Sequence, residues 1–387
     1  MEKVRLGIIG YGAMGMPVAR YIAVEGHCPE IQLAAVCDWD AGKLAEAEQN
    51  LQGKGITFFA DAEEMMDSGL VDAIYIAVPH YDHPVLAMKA FSKGLHVMTE
   101  KPAGVYTKKV REMNEAAKAS GLNFGIMFQN RTIPSYQKIK ELLDSGRYGQ
   151  IRSINWLVTN WYRSQAYYDS GSWRATWDGE GGGVLLNQCP HNLDLLQWLG
   201  GMPVEISAEC SIAQWHNVEI EDDVVATLKY ENGALGSFIT STGICPGTNR
   251  LEIATDRGTL TLEGGKLTVK ELDKTLQEYA AMETNVYPKV TTIVYEFPQN
   301  KTPGHCIVLN AFAGAILRGT PLYVPGEEGI KSLTLSNAMY LSSWTGQKIQ
   351  LPLDEDLYLE ELNKRRATSV HKEAKTGKVD AAAMFMK

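Results

Sequence analysis

Apolar residues follow two rhythms along this chain of 387 residues. In residues 1–128 they gather in short runs without polar alternation: Val4 to Ile9, Ile31 to Cys37, Ile56 to Phe59, Val71 to Val78, Leu95 to Met98 and Asn123 to Met127. Runs of this kind fit parallel strands covered on both faces. Between them, apolar residues recur at helical spacing at Ala13 to Val24, Ala41 to Leu51, Ala87 to Phe91 and Thr107 to Ala119. Strands alternating with helices imply right-handed crossovers and a doubly wound parallel sheet, the α/β class.

Past a helical stretch at Ile139 to Leu143, β-branched and aromatic residues begin to alternate with polar ones. Ile154, Trp156 and Val158 share one face, and the segments 204–214, 223–230 and 234–242 behave similarly. Gly264-Gly265 separates Thr259 to Leu262 from Lys266 to Val269, a hairpin signal. Consecutive strands without intervening helices predict a large, mostly antiparallel open sheet. Helices at His191 to Leu199, near 305–318 and near 327–345 make this part α+β. The pattern predicts two domains, 1–128 and 129–351, and a charged C-terminal tail, 352–387. The tail carries Lys364-Arg365-Arg366 and few large apolar residues after Leu362, which suits a loose extension or an arm that wraps a neighbour.

Composition narrows the class. Hydrophobic residues make up 45% and charged residues 21%, an ordinary globular mixture. With 37 Lys and Arg against 46 Asp and Glu, the net charge of -9 disfavours nucleic acid as a partner. The six cysteines form no C-x-x-C pair and are too sparse for a disulfide scaffold, so reduced thiols and a cytoplasmic setting are expected. No signal peptide is visible, no apolar run reaches the length of a membrane span, and no metal site is expected.

Gly10-Tyr11-Gly12-Ala13-Met14-Gly15 is G-x-G-x-x-G, placed after a predicted strand and at the start of a predicted helix. That context makes it a Rossmann dinucleotide fingerprint. The first glycine permits the tight turn, the second lets the backbone approach a pyrophosphate, and the third allows close packing of helix on strand. The amides at the helix start face the anion. Asp38 ends the second strand, where a carboxylate hydrogen-bonds ribose hydroxyls and repels a 2′-phosphate. No arginine follows it; Trp39 and Asp40 do, which favours NAD over NADP. Pro79 and His80 end the fourth strand with His83 close behind, at the sheet edge where the nicotinamide half of the cofactor is expected. Both histidines also fit polar residues at a surface helix start, the simpler reading for His83.

Glu100-Lys101-Pro102 follows the fifth strand at the same edge. A lysine between an acid and a proline at the mouth of a nucleotide site is unlike the usual solvated lysine. Here the chain resembles the glucose–fructose oxidoreductase / inositol dehydrogenase (Gfo/Idh/MocA) family. The resemblance rests on Gly94-Leu95-His96-Val97-Met98-Thr99-Glu100-Lys101-Pro102, the glycine fingerprint, the Pro79-His80 loop with His83, and Gly181-Gly182-Gly183 leading to His191 and Asp194. It implies that Lys101 lies beside the reacting carbinol and the nicotinamide. The family commonly places an Asp and a His four residues apart after the glycine run, a spacing that shares one helix face. Here the pair is Asn187 and His191, so an amide stands where the acid would be. Asn orients an imidazole but does not stabilise its charged form, which leaves Lys101 and His191 as the proton carriers. The resemblance also implies a homo-oligomer, a dimer or tetramer, joined through the open sheet face.

Four of the eight tryptophans fall between Trp156 and Trp177. In this stretch Trp161, Tyr162, Trp173 and Arg174 suit a sugar or polyol pocket, since aromatic faces match the C–H faces of a pyranose. A tryptophan-rich core or subunit interface explains the same residues. Asn130 and Arg131, after the sixth strand, are further pocket candidates. The expected activity is an NAD-dependent oxidoreductase acting on a carbinol of a sugar, glycoside or cyclic polyol. The alternatives are a redox-neutral NAD-dependent glycosidase or lyase working through a transient keto-sugar, and a non-catalytic NAD-binding regulator.

Overall fold

The N-terminal alternation folds into a six-stranded parallel sheet. The structure, a computed structural model, describes residues 2–284, 286–298 and 300–370. In chain order the first elements are β1 (Val4–Ile9), α1 (Gly15–Ala23), β2 (Ile31–Cys37), α2 (Ala41–Asn50), β3 (Thr57–Phe59), α3 (Ala62–Asp67), β4 (Ala73–Ile76), α4 (Asp82–Ser92), β5 (His96–Thr99), α5 (Thr107–Ser120) and β6 (Phe124–Ile126). The strand order is β3-β2-β1-β4-β5-β6 and every pairing is parallel. The order turns back between β1 and β4, so the carboxyl ends of those strands flank a switch point where ligands bind. Val4, Leu6 and Ile8 of β1 and all of β4 are buried, which is why these strands read as unbroken apolar runs. Asp40 and Asp61 cap α2 and α3 by accepting backbone N–H groups of the first turn. The short α3 is not predicted by the apolar pattern; its acidic cap and two inward methionines make it.

The second sheet is larger. Its segment contains α6 (Pro134–Asp144), β7 (Ile151–Val158), α7 (Gln165–Asp169), α8 (Pro190–Gly200), β8 (Glu205–Ile212), β9 (Glu221–Lys229), β10 (Leu235–Ser241), β11 (Asn249–Thr255), β12 (Gly258–Glu263), β13 (Lys266–Leu272), α9 (Leu276–Ala280) and β14 (Val290–Tyr295). The chain closes with α10 (Gly304–Arg318), α11 (Gly329–Thr345), β15 (Ile349–Gln350) and α12 (Glu355–Arg366). The sheet order is β14-β13-β12-β11-β7-β10-β9-β8-β15. Its pairings are antiparallel except β10 with β7, which is parallel. The inner face carries Ile154, Trp156, Val158, Phe238, Leu251 and Ile253, all buried, alternating with more exposed neighbours. The hairpin predicted at Gly264-Gly265 joins β12 to β13. Strands β11 and β14 are elements the apolar pattern does not single out.

Two compact units result: Met1–Thr132 with Gly179–Gly181 and Asn300–Leu333, and Ile133–Asp178 with Gly182–Gln299 and Thr334–Lys387. In the first, α10 buries Cys306, Val308, Leu309, Phe312 and Ala313 in one cluster with β1 and α1. In the second, the expected charged tail corrects to a helix over Glu355–Arg366. Asp354 caps α12, and Tyr358 and Leu362 are its buried contacts. Lys364, Arg365 and Arg366 occupy its last turn, where cations oppose the helix dipole. Arg365 lies over the Trp344 ring at 3.9 Å, and Arg366 bonds Asp178 at 2.9 Å. The remainder of the expected tail, 371–387, lies outside the described residues. No helix among the described residues is long and apolar enough to cross a membrane.

Candidate active site

The first unit presents a nucleotide cradle. Gly10 has φ of +95°, and a Cβ there would strike the Ala77 carbonyl. A Cβ on Gly15 would strike the Gly10 carbonyl, so the turn and the start of α1 touch through backbone alone. Gly12 differs: the nearest atom to a Cβ there is Lys43 Nζ at 3.9 Å, so the second glycine faces open space rather than protein. That is the vacancy a pyrophosphate approach requires, and the loop fits the cofactor. Asp38 is buried; its Oδ2 accepts the Tyr11 N–H at 2.8 Å and its Oδ1 the Asp40 N–H at 2.9 Å. The carboxylate therefore ties the end of β2 to the glycine loop while retaining lone pairs for hydroxyls. The Tyr11 side chain is buried in the core cluster of the unit, so its part in the loop is that of its backbone N–H on Asp38. Trp39 is 83% exposed beside Asp38, an aromatic face open to a ligand. Ala13 and Met14 complete the loop.

Lys101 is set by a buried polar clamp. Glu100 is buried, and its amide donates to the Ile76 carbonyl at 2.9 Å, which fixes the end of β5 against β4. Its Oε2 accepts the Lys101 N–H at 3.1 Å, and the Tyr75 hydroxyl donates to Oε1. His305 Nε2 stands 4.0 Å from the same oxygen. Burial raises the Glu100 pKa, with Lys101 opposing. On the other side, the peptide Lys101–Pro102 is cis, and the Pro102 carbonyl meets His83 Nδ1 at 2.7 Å. His83 Nε2 meets the Val78 carbonyl at 2.8 Å. His83 is thus neither a surface polar residue nor free to ligate a cofactor: it is buried, and both ring nitrogens are spent on backbone carbonyls. Only an imidazolium donates to both at once, but burial lowers the pKa, with Lys101 adding to that effect and the two carbonyls opposing. His80 is buried with Nδ1 3.0 Å from the Glu180 carbonyl, and Pro79 is half-buried beside it.

Asn130 and Arg131 sit in a short 3₁₀ turn after β6. Asn130 is half-buried, but Arg131 is buried and pairs with Glu328 at 3.3 Å, while its carbonyl accepts the Tyr323 hydroxyl. The arginine thereby anchors the turn from inside, a role the sequence reading did not assign.

The second unit gathers the aromatic residues around Tyr167. Arg174 lies 4.6 Å from the Tyr167 ring centroid and 4.5 Å from that of Trp173. It donates to the Tyr167 hydroxyl at 2.8 Å, as Gln188 does at 3.2 Å. Arg163 stacks over Trp161 and Tyr167. Trp161 and Trp173 are half-exposed, whereas Trp156 and Trp177 are core residues. Trp156 packs inside the sheet and Trp177 packs against Tyr340 and Trp344. Half of the tryptophan cluster is therefore structural. Trp161 Nε1 donates to Asn192 Oδ1 at 3.3 Å, tying the aromatic segment to the first turn of α8. His191 lies in that turn and is 7% exposed.

Asn187 does not share a helix with His191, as four-residue spacing suggested. Pro190 opens α8, since a proline lacks an N–H and suits the first helical position. Asn187 lies in the preceding turn, its N–H donating to the Gly183 carbonyl at 2.9 Å. It is half-buried. Residues the sequence did not flag include Tyr75 and His305 at Glu100, and Gln188 and Asn192 in the aromatic cluster. Their partners are distant in sequence, so no local motif announces them. Among the described residues no group of three or more His, Cys, Asp or Glu is arranged to hold a metal ion.

Comparison with known proteins agrees with this geometry. The family profile described as "Oxidoreductase family, NAD-binding Rossmann fold" matches residues 4–128, and "GFO/IDH/MocA C-terminal domain" matches residues 136–261. The rhizopine catabolism protein MocA of Rhizobium meliloti is 29% identical over 201 residues, which cover 52% of this chain and 58% of that protein. The chain thus spans less than two thirds of that relative's length. The 1,5-anhydro-D-fructose reductase of Ensifer adhaerens is 25% identical over 308 residues, 79% of this chain and 87% of that one. Among solved structures, the WlbA dehydrogenase of Bordetella pertussis, in complex with NADH and UDP-GlcNAcA, is 27% identical with a TM-score of 0.76, covering 91% of this chain and 100% of that one. The chain belongs to the Gfo/Idh/MocA oxidoreductase family, and residues 4–128 are that family's NAD-binding Rossmann domain.

Proposed function

We propose that the protein is an NAD-dependent dehydrogenase acting on a carbinol of a sugar, a sugar derivative or a cyclic polyol. The observation that carries this reading is the clamp on Lys101. Its backbone is held on one side by Glu100 and on the other by His83, both buried, at the carboxyl edge of β5. A solvated lysine needs no such double fixation, whereas an acid–base group does.

Bound NAD supplies the hydride acceptor. The loop Gly10 to Gly15 would hold its phosphates, with Gly12 giving the backbone approach and Gly10 and Gly15 the tight packing behind it; Asp38 would bond the adenosine ribose hydroxyls, and Trp39 would offer its exposed ring to the adenine. Pro79, His80 and Glu100 shape the nicotinamide end. His191 takes the substrate hydroxyl proton as general base, and Lys101 donates a hydrogen bond to the developing alkoxide. Asn187 orients the substrate or the imidazole as a neutral amide. Trp161, Trp173 and Arg174 offer rings and hydrogen-bond donors to the sugar, with Asn130 as a further contact. The ligands and names of the relatives, a nucleotide sugar and an anhydro-sugar among them, support a carbohydrate substrate. The chain acts as a dimer or tetramer joined through the open face of its large sheet.

Lys101→Met tests the assignment. Turnover is expected to fall by about a thousandfold, within the span of general acid–base catalysis, with NAD affinity retained by titration. Near-normal turnover in that variant contradicts it.

A further inference from the structure

The acidic run at the start of β9 holds a carboxylate that the reaction above does not use. Glu221 is fully buried, and its carboxylate receives three donors. Oε2 accepts the Gly183 N–H at 2.8 Å; Oε1 accepts the Leu185 N–H at 2.9 Å and the Tyr340 hydroxyl at 2.7 Å. The Glu221 carbonyl accepts the Val184 N–H at 3.3 Å. One residue thus holds three successive amides, 183 to 185. Successive amides converging on an anion form a nest; here the anion belongs to the chain itself. Gly183 is required for this approach, because a Cβ there would strike the Glu221 carbonyl.

The fixation passes onward without a break. The Gly183 carbonyl accepts the Asn187 N–H at 2.9 Å, the Val184 carbonyl the Cys189 N–H at 2.8 Å, and the Cys189 carbonyl the Leu193 N–H at 2.9 Å. This frame runs from Glu221 through the turn that bears Asn187 into the first turn of α8, which bears His191. Tyr340 is itself immobilised: it stacks on Trp344, takes Trp177 edge-on, and contacts Gly183 N–H at 3.2 Å. A bare packing role would be filled at lower cost by an apolar side chain, because a buried carboxylate must be compensated by hydrogen bonds.

We propose that Glu221, backed by Tyr340, is the positioning residue that sets Asn187 and His191 in place. The inference rests on His191 being the base. Burial lifts the Glu221 pKa to about 7. The titratable groups against it are Tyr340 on α11 and Cys210 on β8, both held neutral by burial, with the Glu221 charge adding to the effect. The adjacent Asp222 carboxylate points instead to His216 and the amides of residues 214–216. All three donors favour its ionised form, and burial, the larger effect, opposes them.

The test compares Glu221→Gln and Tyr340→Phe with the unsubstituted protein by hydrogen exchange and steady-state kinetics. In E221Q an amide nitrogen must replace one accepting oxygen and face a backbone donor. Exchange in residues 183–189 is expected to accelerate about tenfold, and kcat to fall about tenfold or more, while the KM for NAD stays within about twofold. Y340F keeps both side-chain amide bonds and should show the same pattern more weakly. Unchanged exchange at 183–189 in both variants, or unchanged kcat despite faster exchange, overturns the proposal. So does faster exchange spread over the whole second unit with a parallel rise in the KM for NAD, the mark of a merely structural residue. Failure of the dehydrogenase reading would show differently, as no turnover in the unsubstituted protein, and the exchange comparison would still decide this inference.

Discussion

At the scale of single residues, the clamp around Lys101 makes a prediction for a residue that never touches substrate. His83→Ala removes the imidazole that stands between the Val78 and Pro102 carbonyls, within hydrogen-bond distance of each. It should lower stability by about 1–3 kcal/mol in urea unfolding, the cost of orphaned buried acceptors, and depress kcat by about tenfold with little change in NAD affinity. A variant with unchanged kcat would show that the Pro102 carbonyl needs no support. Lys101 and Asp38 were legible in the sequence because each closes a strand at a motif with fixed spacing. His83 was legible only as a residue, not as a role: the carbonyls it joins are brought together by the fold. The turn at Asn187 was misread because four-residue spacing was taken as helical, although Pro190 is where a helix prefers to begin. Glu221 was invisible, since three consecutive acids before a strand read as a solvated turn.

At the scale of elements, the glycine loop separates folding from binding. A Cβ on Gly15 collides with backbone, whereas one on Gly12 meets open space. Gly15→Ala is therefore expected to lower the melting temperature markedly. Gly12→Val should leave stability within about 0.5 kcal/mol, as for other substitutions away from the core, yet weaken NAD binding about tenfold or more, measured by calorimetry. Equal NAD affinity in G12V would place the pyrophosphate elsewhere. The parallel strands were legible because burial on both faces leaves continuous apolar runs. Strand β11 was less so: Leu251 and Ile253 are buried, but Arg250 and Glu252 interrupt the run as an ion pair on the outer face. Strand β14 ends the sheet with Val290 and Val294 exposed, so its pattern lacks an inward row. Helix α12 hid for a different reason, because caps and terminal charges define it more than an apolar stripe does.

At the scale of the molecule, Glu221 ties stability to pH. Its pKa is about 7 in the folded chain against an ordinary 4.5, so folding favours its protonated form. That contribution is fully present below about pH 4.5 and lost as pH rises through about 7, amounting to about 3 kcal/mol. Denaturant unfolding followed across that window, from about pH 4.5 to about 7, should show a downward slope that E221Q lacks; parallel slopes would contradict the titration. The open sheet face carries a row of Val225, Ile239 and Leu157 on neighbouring strands, with Val225 48% and Leu157 36% exposed. Such a row suits subunit contact, and Leu157→Arg is expected to convert a dimer or tetramer to monomer in sedimentation, while a monomeric unsubstituted protein would remove that expectation. The most direct test of the central claim is product stoichiometry. The protein is incubated with NAD and a panel of inositols, free sugars, glycosides and nucleotide sugars, and NADH and the organic product are both quantified. The account predicts one NADH for each keto product formed by the unsubstituted protein and none by K101M. Product without NADH, or no product from any member of the panel despite NAD binding, would contradict it.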